Sequence, residues 1–423
     1  MTPSREALHA LDETLDALGL GSSTRPPWTQ AWAASQAALR TDAVPFLQPA
    51  YVEAQGRRLG MAATLQKALV DGLALFRRQP LLRRLAWHCH YTFFRGASFA
   101  PEVAHHWPRL PAALGEAAPL FYAYVYLSGV PALLAYHHRL GVALDVSLDT
   151  LSDLALWIED YHTKHGTWGL SEIRWLRRHF AGRLYKLGRL QFERDRYPFA
   201  YHAFLHRHDR RILVFAGTGM RFRADGLTDG THGRHDPAAW TASLHRTSTA
   251  ITGHPIHPLG YAQRDTVTLA TDTWEEILKK DGPTLAVHIP ATGPLAFEAC
   301  GASFAQAMGF FPRHFPDHPI YAFTCSSWLL DPQFEAHLPA TANIVRFLRE
   351  WYLTPQPAAD DAQTLERVFG TPGPDLDAWP RRTALQRAVV RHMKAGGRFR
   401  MGAGLMFPQA LAWGSQVFRS PTM

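Results

Sequence analysis

The sequence predicts an α+β protein in which an all-helical N-terminal region precedes a mixed sheet flanked by helices. Its 423 residues suffice for two domains at about 100–200 residues each. Apolar residues recur at helical spacing up to about residue 180, whereas short strand-like runs begin near residue 183. After residue 285, strand and helix patterns alternate. We therefore expect a helical domain at 1–180, a mixed-sheet domain at 181–354, and a helical tail at 355–423 that packs on the sheet domain.

Helix patterns are clearest in three segments of the first region. Residues 64–76 place apolar side chains on one face. Ser147 is a candidate N-cap for one helix that continues through Ile158 with leucines along one face, and Ser171 is a candidate cap for the next helix.

Residues 118–136 carry no charge over nearly the length of a membrane span. One interpretation is a membrane helix. The other is a pair of buried segments broken at residues 128–131 (Ser-Gly-Val-Pro). The tyrosines and the Gly/Pro sequence favour a packed protein interior, so we expect no membrane span.

The second region contains short runs that predict strands, followed by a polar stretch and a helical tail. The polar residues 225–260 predict a loop with one short helix, and Thr383–Lys394 predicts a helix. The predicted strands are 184–193, 211–216, 266–270, 285–289 and 320–325.

Composition excludes several classes of protein. With 47% hydrophobic, 12% aromatic and 19% charged residues, the chain is neither disordered nor collagen-like. Three cysteines without a CxxC pair indicate neither a disulfide scaffold nor a structural zinc site. The N-terminus lacks a signal-peptide pattern, so we expect a cytoplasmic protein. The net charge of +8 favours an anionic partner, but charge alone does not choose among a nucleotide, a nucleic acid and a membrane surface.

The segment 285–300 is the most informative for function. A strand is followed by a turn at residues 290–294 and by a helix with Pro294 at its first position. The N–H groups and positive dipole end of such a helix can bind a diphosphate. The alternative is an ordinary connection between a strand and a helix.

Several longer strings resemble a group of bacterial two-domain acyltransferases, which pair a helical N-terminal domain with a C-terminal GNAT-like N-acyltransferase domain. The strings are GRLYKLGRLQFE at 182–193, VHIPATGPL at 287–295 and SSWLLDP at 326–332. The similarity extends over about residues 130–400. The resemblance implies transfer of an acyl group from an acyl-CoA or acetyl-CoA to an amine or similar nucleophile of a small molecule or peptide, with no metal.

In GNAT folds the thioester lies where two neighbouring strands splay apart. The resemblance implies that these strands are the one ending at Ile289 and the one at 320–325, with pantetheine between them. Its pyrophosphate would rest on the turn, and the implied cofactor-binding residues are Ile289, Ala291, Thr292, Gly293, Leu295 and Asn343. The turn has only one of the glycines of the general GNAT phosphate loop, and Glu350 stands seven residues after Asn343 where the family pattern has tyrosine.

Acyl transfer to an amine needs a group that removes a proton. His288, at a predicted strand end, is the first candidate base, and Glu193 is the second; the alternatives are a core histidine and a solvated carboxylate. Tyr321 could protonate the departing thiolate or simply pack in a strand. Cys325 could act as a nucleophile only with a lowered pKa, and the alternative is a small buried strand residue.

Two other functions compete with catalysis. A GNAT-like protein could bind its ligand or a partner without turnover, which the missing turn glycine favours. The basic, aromatic-containing stretch 174–211 could contact nucleic acid, but its aromatic residues stand at core spacing, so we expect no nucleic acid partner.

Overall fold

The structure is a computed structural model that describes residues 5–21, 25–29, 31–39, 44–96, 99–356, 359–370 and 372–419. It forms two compact units, residues 1–186 and 187–423. The first is helical and the second contains mixed sheets with helices, so the predicted α+β class is confirmed. The boundary between the units falls within strand β1 (Leu184–Leu187).

Helices form the described part of the first unit. The α-helices are α1 (Arg5–Ala17), α2 (Pro26–Thr29), α3 (Trp32–Ala38), α4 (Pro49–Arg58), α5 (Ala63–Gly72), α6 (Ala74–Arg78), α7 (Pro80–Phe94), α8 (Phe121–Arg139), α9 (Leu144–Leu151), α10 (Asp153–His165) and α11 (Ile173–Phe180). The predicted single helix from Ser147 to Ile158 is wrong. Ser147 lies inside α9, where its hydroxyl donates to the Ala143 carbonyl at 3.0 Å, and a new helix begins at Asp153.

Helix α8 lies in the core of the first unit, and the predicted break at residues 128–131 is wrong. Pro131 has no N–H to donate to the Leu127 carbonyl. The Tyr51 hydroxyl compensates, because it donates to the carbonyls of Leu127 at 3.3 Å and Ser128 at 3.2 Å. Gly129 allows the ring of Phe94 to approach closely, since a Cβ at this position would lie 2.2 Å from that ring.

Among the described residues, one helical stretch is long and apolar enough to cross a membrane. It comprises Ala118–Arg139, and 72% of its most apolar window is buried inside the protein. Its side chains from Phe121 to Leu127 are almost entirely covered by the surrounding helices.

Strands dominate the second unit. They are β2 (Leu190–Arg196), β3 (Tyr201–His206), β4 (Ile212–Ala216), β5 (Arg221–Phe222), β6 (Trp240–Thr241), β7 (Leu244–Arg246), β8 (Ala250–Gly253), β9 (Pro255–His257), β10 (Tyr261–Ala262), β11 (Val267–Ala270), β12 (Trp274–Leu278), β13 (Pro283–His288), β14 (Phe323–Ser327), β15 (Tyr352–Thr354) and β16 (Gly402–Met406). The helices are α12 (Phe297–His314), α13 (Phe334–His337), α14 (Asn343–Arg349), α15 (Ala362–Phe369) and α16 (Ala384–Lys394).

The largest sheet has the strand order β1-β2-β13-β14-β16-β15. Strands β13 and β14 run parallel, whereas β2 and β16 are antiparallel to the strands beside them. A second sheet has the order β10-β9-β4-β3-β12, and β11-β8-β7 and β5-β6 form two smaller sheets. One face of the largest sheet packs on α12, where the rings of Phe304 and Phe323 lie 5.0 Å apart.

Three expectations about this unit need correction. Residues 184–193 are not one strand, because Gly188 adopts a φ of 64° in the hairpin turn between β1 and β2. Residues 225–260 contain β6 to β9 and a short 3-10 helix rather than loop alone. The tail is not only helical: α16 forms with Thr383 as its N-cap, but β16 enters the sheet between β14 and β15.

Candidate active site

The site begins as a separation of two parallel strands. Strands β13 and β14 are in register only at Leu285–Phe323 and Ala286–Thr324. Beyond these pairs β13 stays paired with β2 up to His288, and β14 stays paired with β16 up to Ser327. The two central strands therefore part at their carboxyl ends, at the place where the resemblance implies a gap.

A cleft of about 150 Å³ lies at this separation. Its lining comes from β2 and the segment that follows it and from β13, β14, β15 and β16. The lining residues are Asp195, Tyr197–Phe199, Ala286–His288, Thr324–Ser326, Thr354 and Ala403–Leu405. Ala286, Ala403 and Gly404 contribute little or no side chain to the lining. A narrow cleft where two strands part suits a slender chain whose amide groups can pair with strand backbone.

Strand alternation decides which side chains share the face of the sheet opposite α12. Residues directly opposite each other in register project to the same face. Glu193 is opposite Ala286, and His288 lies two residues further along β13. Glu193, His288 and Thr324 therefore share one face, whereas Phe323 and Cys325 project toward α12.

His288 and Glu193, the two candidate bases, lie together. Nε2 of His288 is 3.4 Å from Oε2 of Glu193. The Glu193 side chain is 6% exposed and the His288 side chain 26% exposed. Glu193 lies within β2 and not at the end of a strand as predicted. The buried carboxylate can orient the imidazole, and the imidazole is the member of the pair that a substrate can reach.

The turn between β13 and α12 contains five of the six predicted cofactor-binding residues, and the sixth, Asn343, lies on α14. Residues 291–293 are exposed, and Ile289 and Leu295 are half-buried. The predicted helix start at Pro294 is wrong, because α12 begins at Phe297 with Ala296 as its N-cap. Gly293 has a φ of 86°, a left-handed conformation that favours glycine.

Arg189 holds the backbone of this turn in place. The sequence analysis did not identify it as a site residue. Its guanidinium donates to three carbonyls: Nε to Pro294 at 2.8 Å, Nη1 to Pro290 at 3.0 Å and Nη2 to Gly293 at 3.1 Å. The backbone N–H of Arg189 donates to Ser303 Oγ on α12 at 2.9 Å. The β1–β2 hairpin therefore ties the turn to the helix that follows it. Partial burial lowers the pKa of Arg189.

The start of α12 carries its own acidic side chain. A hydrogen bond from its own backbone N–H and the nearby Arg346 lower the pKa of Glu298, whose Oε1 is 2.9 Å from Arg346 Nη2. Asn343 is exposed at the first position of α14, one turn before Arg346. An anion at this helix start would meet both a carboxylate and a guanidinium.

Of the other two predicted catalytic residues, Tyr321 is not part of the cleft lining, whereas Cys325 belongs to the lining but has an unsuitable thiol. Tyr321 lies before β14, 42% exposed, and its N–H donates to the Pro283 carbonyl at the opposite end of β13 from His288. Cys325 projects to the α12 face, and burial raises the pKa of its thiol to about 12. A thiol with this pKa is protonated near neutral pH and is a poor nucleophile.

Among the described residues, no three His, Cys, Asp or Glu side chains form a group that could hold a metal ion. His288 lines the cleft, and Glu193 contacts it at 3.4 Å. These groups suit proton transfer and polarisation of a carbonyl.

Comparison with known proteins gives two adjoining family matches. Residues 53–182 match the N-acyltransferase N-terminal domain, and residues 184–406 match the GNAT-like C-terminal domain. No curated protein matches the chain.

Solved structures of acyltransferases are similar over nearly the whole chain. An acyltransferase in complex with decanoyl-CoA and teicoplanin is 27% identical, with a TM-score of 0.63, over 94% of this chain and 98% of that chain. An acyltransferase mutant in complex with octanoyl-CoA is 26% identical, with a TM-score of 0.63 and the same coverage. A complex with CoA and 10C-teicoplanin is 26% identical, with a TM-score of 0.61 over the same shares of the two chains.

The second family match alone spans more than half of the chain, and it begins two residues after the first match ends. The fold, the parted strands and these matches agree. This chain is an acyltransferase and belongs to the family that joins an N-acyltransferase N-terminal domain to a GNAT-like C-terminal domain.

Proposed function

We propose that this acyltransferase transfers an acyl group from an acyl-CoA directly to an amine of a small-molecule acceptor. The observation that carries the proposal is the His288–Glu193 pair beside the gap between β13 and β14. The gap provides unpaired strand backbone for the amides of pantetheine, and the pair provides a proton acceptor next to it.

The proton balance of the reaction assigns a role to each member of the pair. The amine nitrogen forms a bond with the thioester carbonyl carbon, and the C–S bond then breaks to release the CoA thiolate. His288 accepts the proton that the amine loses. A tautomer with its proton on Nε2 donates to Glu193 and has its lone pair on Nδ1, so Glu193 acts as a positioning residue. The released thiolate takes up one proton, so charge and protons balance.

A covalent acyl-enzyme is not part of the proposal. Burial raises the pKa of Cys300 to about 11 and that of Cys325 to about 12, so neither thiol is a ready nucleophile. Direct attack needs only that the amine and the thioester be held together, which can supply a large part of the rate enhancement.

The similar structures support the choice of substrates. They contain decanoyl-CoA, octanoyl-CoA or CoA, and two of them also contain teicoplanin or its 10C form. We extend the acyl-CoA requirement and a small-molecule acceptor to this chain. A medium-length acyl group of eight to ten carbons is the first choice for a test, with acetyl-CoA as the short-chain comparison.

The first experiment measures binding and turnover separately. Acetyl-, octanoyl- and decanoyl-CoA are titrated calorimetrically, and thiol release is then followed with a panel of small-molecule and peptide amines. We expect saturable binding and amine-dependent thiol release. An absence of heat with every acyl-CoA would contradict the proposal, and binding without thiol release under any amine would favour a non-catalytic binding protein.

The second experiment tests the base. His288→Gln should lower kcat/KM by about 10²–10⁴-fold, because general-base catalysis typically contributes that much. His318→Gln is the matched control, since His318 contacts the Thr284 carbonyl at the far end of the same strand, 2.9 Å away. His318→Gln should retain kcat/KM near the wild-type value. Wild-type kcat/KM in His288→Gln would exclude His288 as the base.

A further inference from the structure

Ser326 is a cleft residue to which the proposed mechanism gives no role. It is the fourth residue of β14, lines the cleft, and is exposed. Its hydroxyl donates to Oε1 of Gln356 at 3.3 Å, which is long for a hydrogen bond between two oxygens. The hydroxyl is therefore accessible to a ligand and gives up little when it turns from Gln356 toward another acceptor.

The strand register places Ser326 across the gap from His288. The parallel strands β13 and β14 are in register at Ala286–Thr324, and His288 and Ser326 each lie two residues further along. Both side chains project to the face of the sheet opposite α12, because side chains alternate along a strand. Beyond Thr324, β14 continues to pair with β16, where Ser326 is opposite Ala403. The two polar groups thus stand on the two sides of the place where the strands have parted.

We propose that the Ser326 hydroxyl donates a hydrogen bond to the sulfur of CoA as the C–S bond breaks. This inference rests on the proposed acyl transfer. The amine nitrogen and the sulfur are bonded to the same carbon in the tetrahedral intermediate, so groups that act on them must stand on two sides of one point. His288 takes the proton from nitrogen on one side of the gap, and Ser326 stabilises the negative charge on sulfur on the other. Ser326 is then a second catalytic residue.

The hydroxyl acts as a hydrogen-bond donor and not as an acid. An aliphatic hydroxyl is a far weaker acid than a thiol, whose pKa is about 8.5, so the proton stays on the serine oxygen. The electron pair of the C–S bond moves to sulfur, and the thiolate later takes up the proton that His288 received from the amine. A thioester sulfur is a weak acceptor, whereas a thiolate is charged, so the hydrogen bond strengthens only as the bond to carbon breaks. Such a bond lowers the barrier more than it tightens substrate binding.

Ser326→Ala removes only the hydroxyl of an exposed residue, so the fold should be retained. We expect kcat to fall by about 10–100-fold, as for a hydrogen bond to a charged atom, with little change in KM for acyl-CoA. Ser326→Thr keeps a hydroxyl and should restore most of kcat. Ser327→Ala is the matched control, because Ser327 projects to the opposite face and its hydroxyl accepts from the Leu329 N–H at 3.2 Å. This control should lower the melting temperature and leave kcat near wild type.

A binding experiment tests contact with the sulfur itself. CoA is compared with desulfo-CoA, in which hydrogen replaces the thiol, at about pH 9.5, where a thiol with a pKa of about 8.5 is mostly ionised. Ser326→Ala should weaken the binding of CoA by about tenfold or more and leave the binding of desulfo-CoA unchanged. Ser327→Ala should affect the binding of neither ligand.

These measurements separate the role of Ser326 from the proposed function. A lower kcat in Ser326→Ala, together with a loss of affinity for CoA and not for desulfo-CoA, supports the role. An unchanged kcat, or an equal loss of affinity for both ligands, overturns it while wild-type turnover keeps the proposed acyl transfer intact. Wild-type protein that binds neither ligand and releases no thiol from acyl-CoA overturns the proposed function, and the role of Ser326 with it.

Discussion

Replacing Arg189 should weaken acyl-CoA binding without affecting the chemical step. The guanidinium is bonded to the carbonyls of Pro290, Gly293 and Pro294, so it fixes the backbone of the turn before α12. In Arg189→Ala the carbonyls of Gly293 and Pro294 stay accessible to water because both residues are exposed, and only Pro290 is buried. The fold therefore loses little stability, and the main consequence is a turn that must be ordered when the ligand binds.

The expected rise in KM can be calculated from the free energy needed to order the turn. Fixing the backbone of one residue costs about 1–2 kcal/mol. If one or two turn residues must be ordered again, the cost is about 2 kcal/mol, and at 1.4 kcal/mol per tenfold the KM for acyl-CoA rises about 30-fold. We expect kcat to stay near wild type, because the guanidinium contacts the turn and not His288. The KM of Arg189→Lys for acyl-CoA should lie between those of the wild type and Arg189→Ala, because an ammonium group cannot reproduce the planar, forked hydrogen bonds of a guanidinium.

The assay compares two acyl donors, acyl-CoA and the matching acyl-pantetheine, which lacks the nucleotide and its pyrophosphate. Arg189→Ala should raise KM for acyl-CoA alone. Arg196→Ala is the control, because Arg196 lies at the other end of β2 and donates to the Asp281 carbonyl at 2.9 Å. An equal rise in KM for both donors would contradict this prediction, because it would mean that the turn shapes the whole cleft rather than a site for the charged end of CoA.

Two further predictions concern buried titratable groups. Cys325→Ala should retain kcat/KM near wild type, because the thiol projects toward α12 and burial raises its pKa to about 12; loss of turnover in a folded variant would return this thiol to the mechanism. Burial lowers the pKa of His88, His90 and His137 to about 4, so the folded state favours the neutral ring. The free energy of unfolding is therefore highest above the unfolded-state pKa of about 6.5 and decreases as the pH falls toward 4. Each ring contributes up to about 1.4 kcal/mol per unit of pKa difference to this decrease. Urea unfolding between pH 7 and pH 4.5 should show this loss, and a constant free energy of unfolding would contradict it.

The sequence predicts elements well where one periodic pattern decides the structure. The helical character of most of the first unit, the order of strand, turn and helix from β13 to α12, and the helix predicted at Thr383–Lys394 all follow from local patterns. Helix α8 does not, because its continuity through Pro131 depends on the Tyr51 hydroxyl from a distant helix. A hydrogen bond across that many residues has no local signature.

Strand β16 shows a second limit of local patterns. Glycine is unfavourable in strands, so the glycines of β16 argue against predicting a strand there. In the folded protein, however, only glycine leaves enough room for β16 to pair within the sheet. A Cβ on Gly402 would lie 2.0 Å from the Leu330 carbonyl oxygen, and one on Gly404 would lie 3.0 Å from the Trp351 side chain. The close approach of neighbouring residues to the β16 backbone thus requires glycines, although glycine is unfavourable for a strand when the sequence is considered alone.

The candidate site depends on the register of strands that lie far apart in the sequence. Because side chains alternate along a strand, a shift of one residue between β2 and β13 would move Glu193 to the α12 face and separate it from His288. The same alternation directs the Cys325 side chain toward α12, whereas Thr324 and Ser326 project to the face that carries His288. The residue types in the sequence therefore suggest several candidate catalytic residues. The pairing of β13 with β2 and β14 determines which of them share one face of the sheet. Arg189 escapes a search for motifs for the same reason. It lies just before β2 and reaches its place only when that strand pairs with β13.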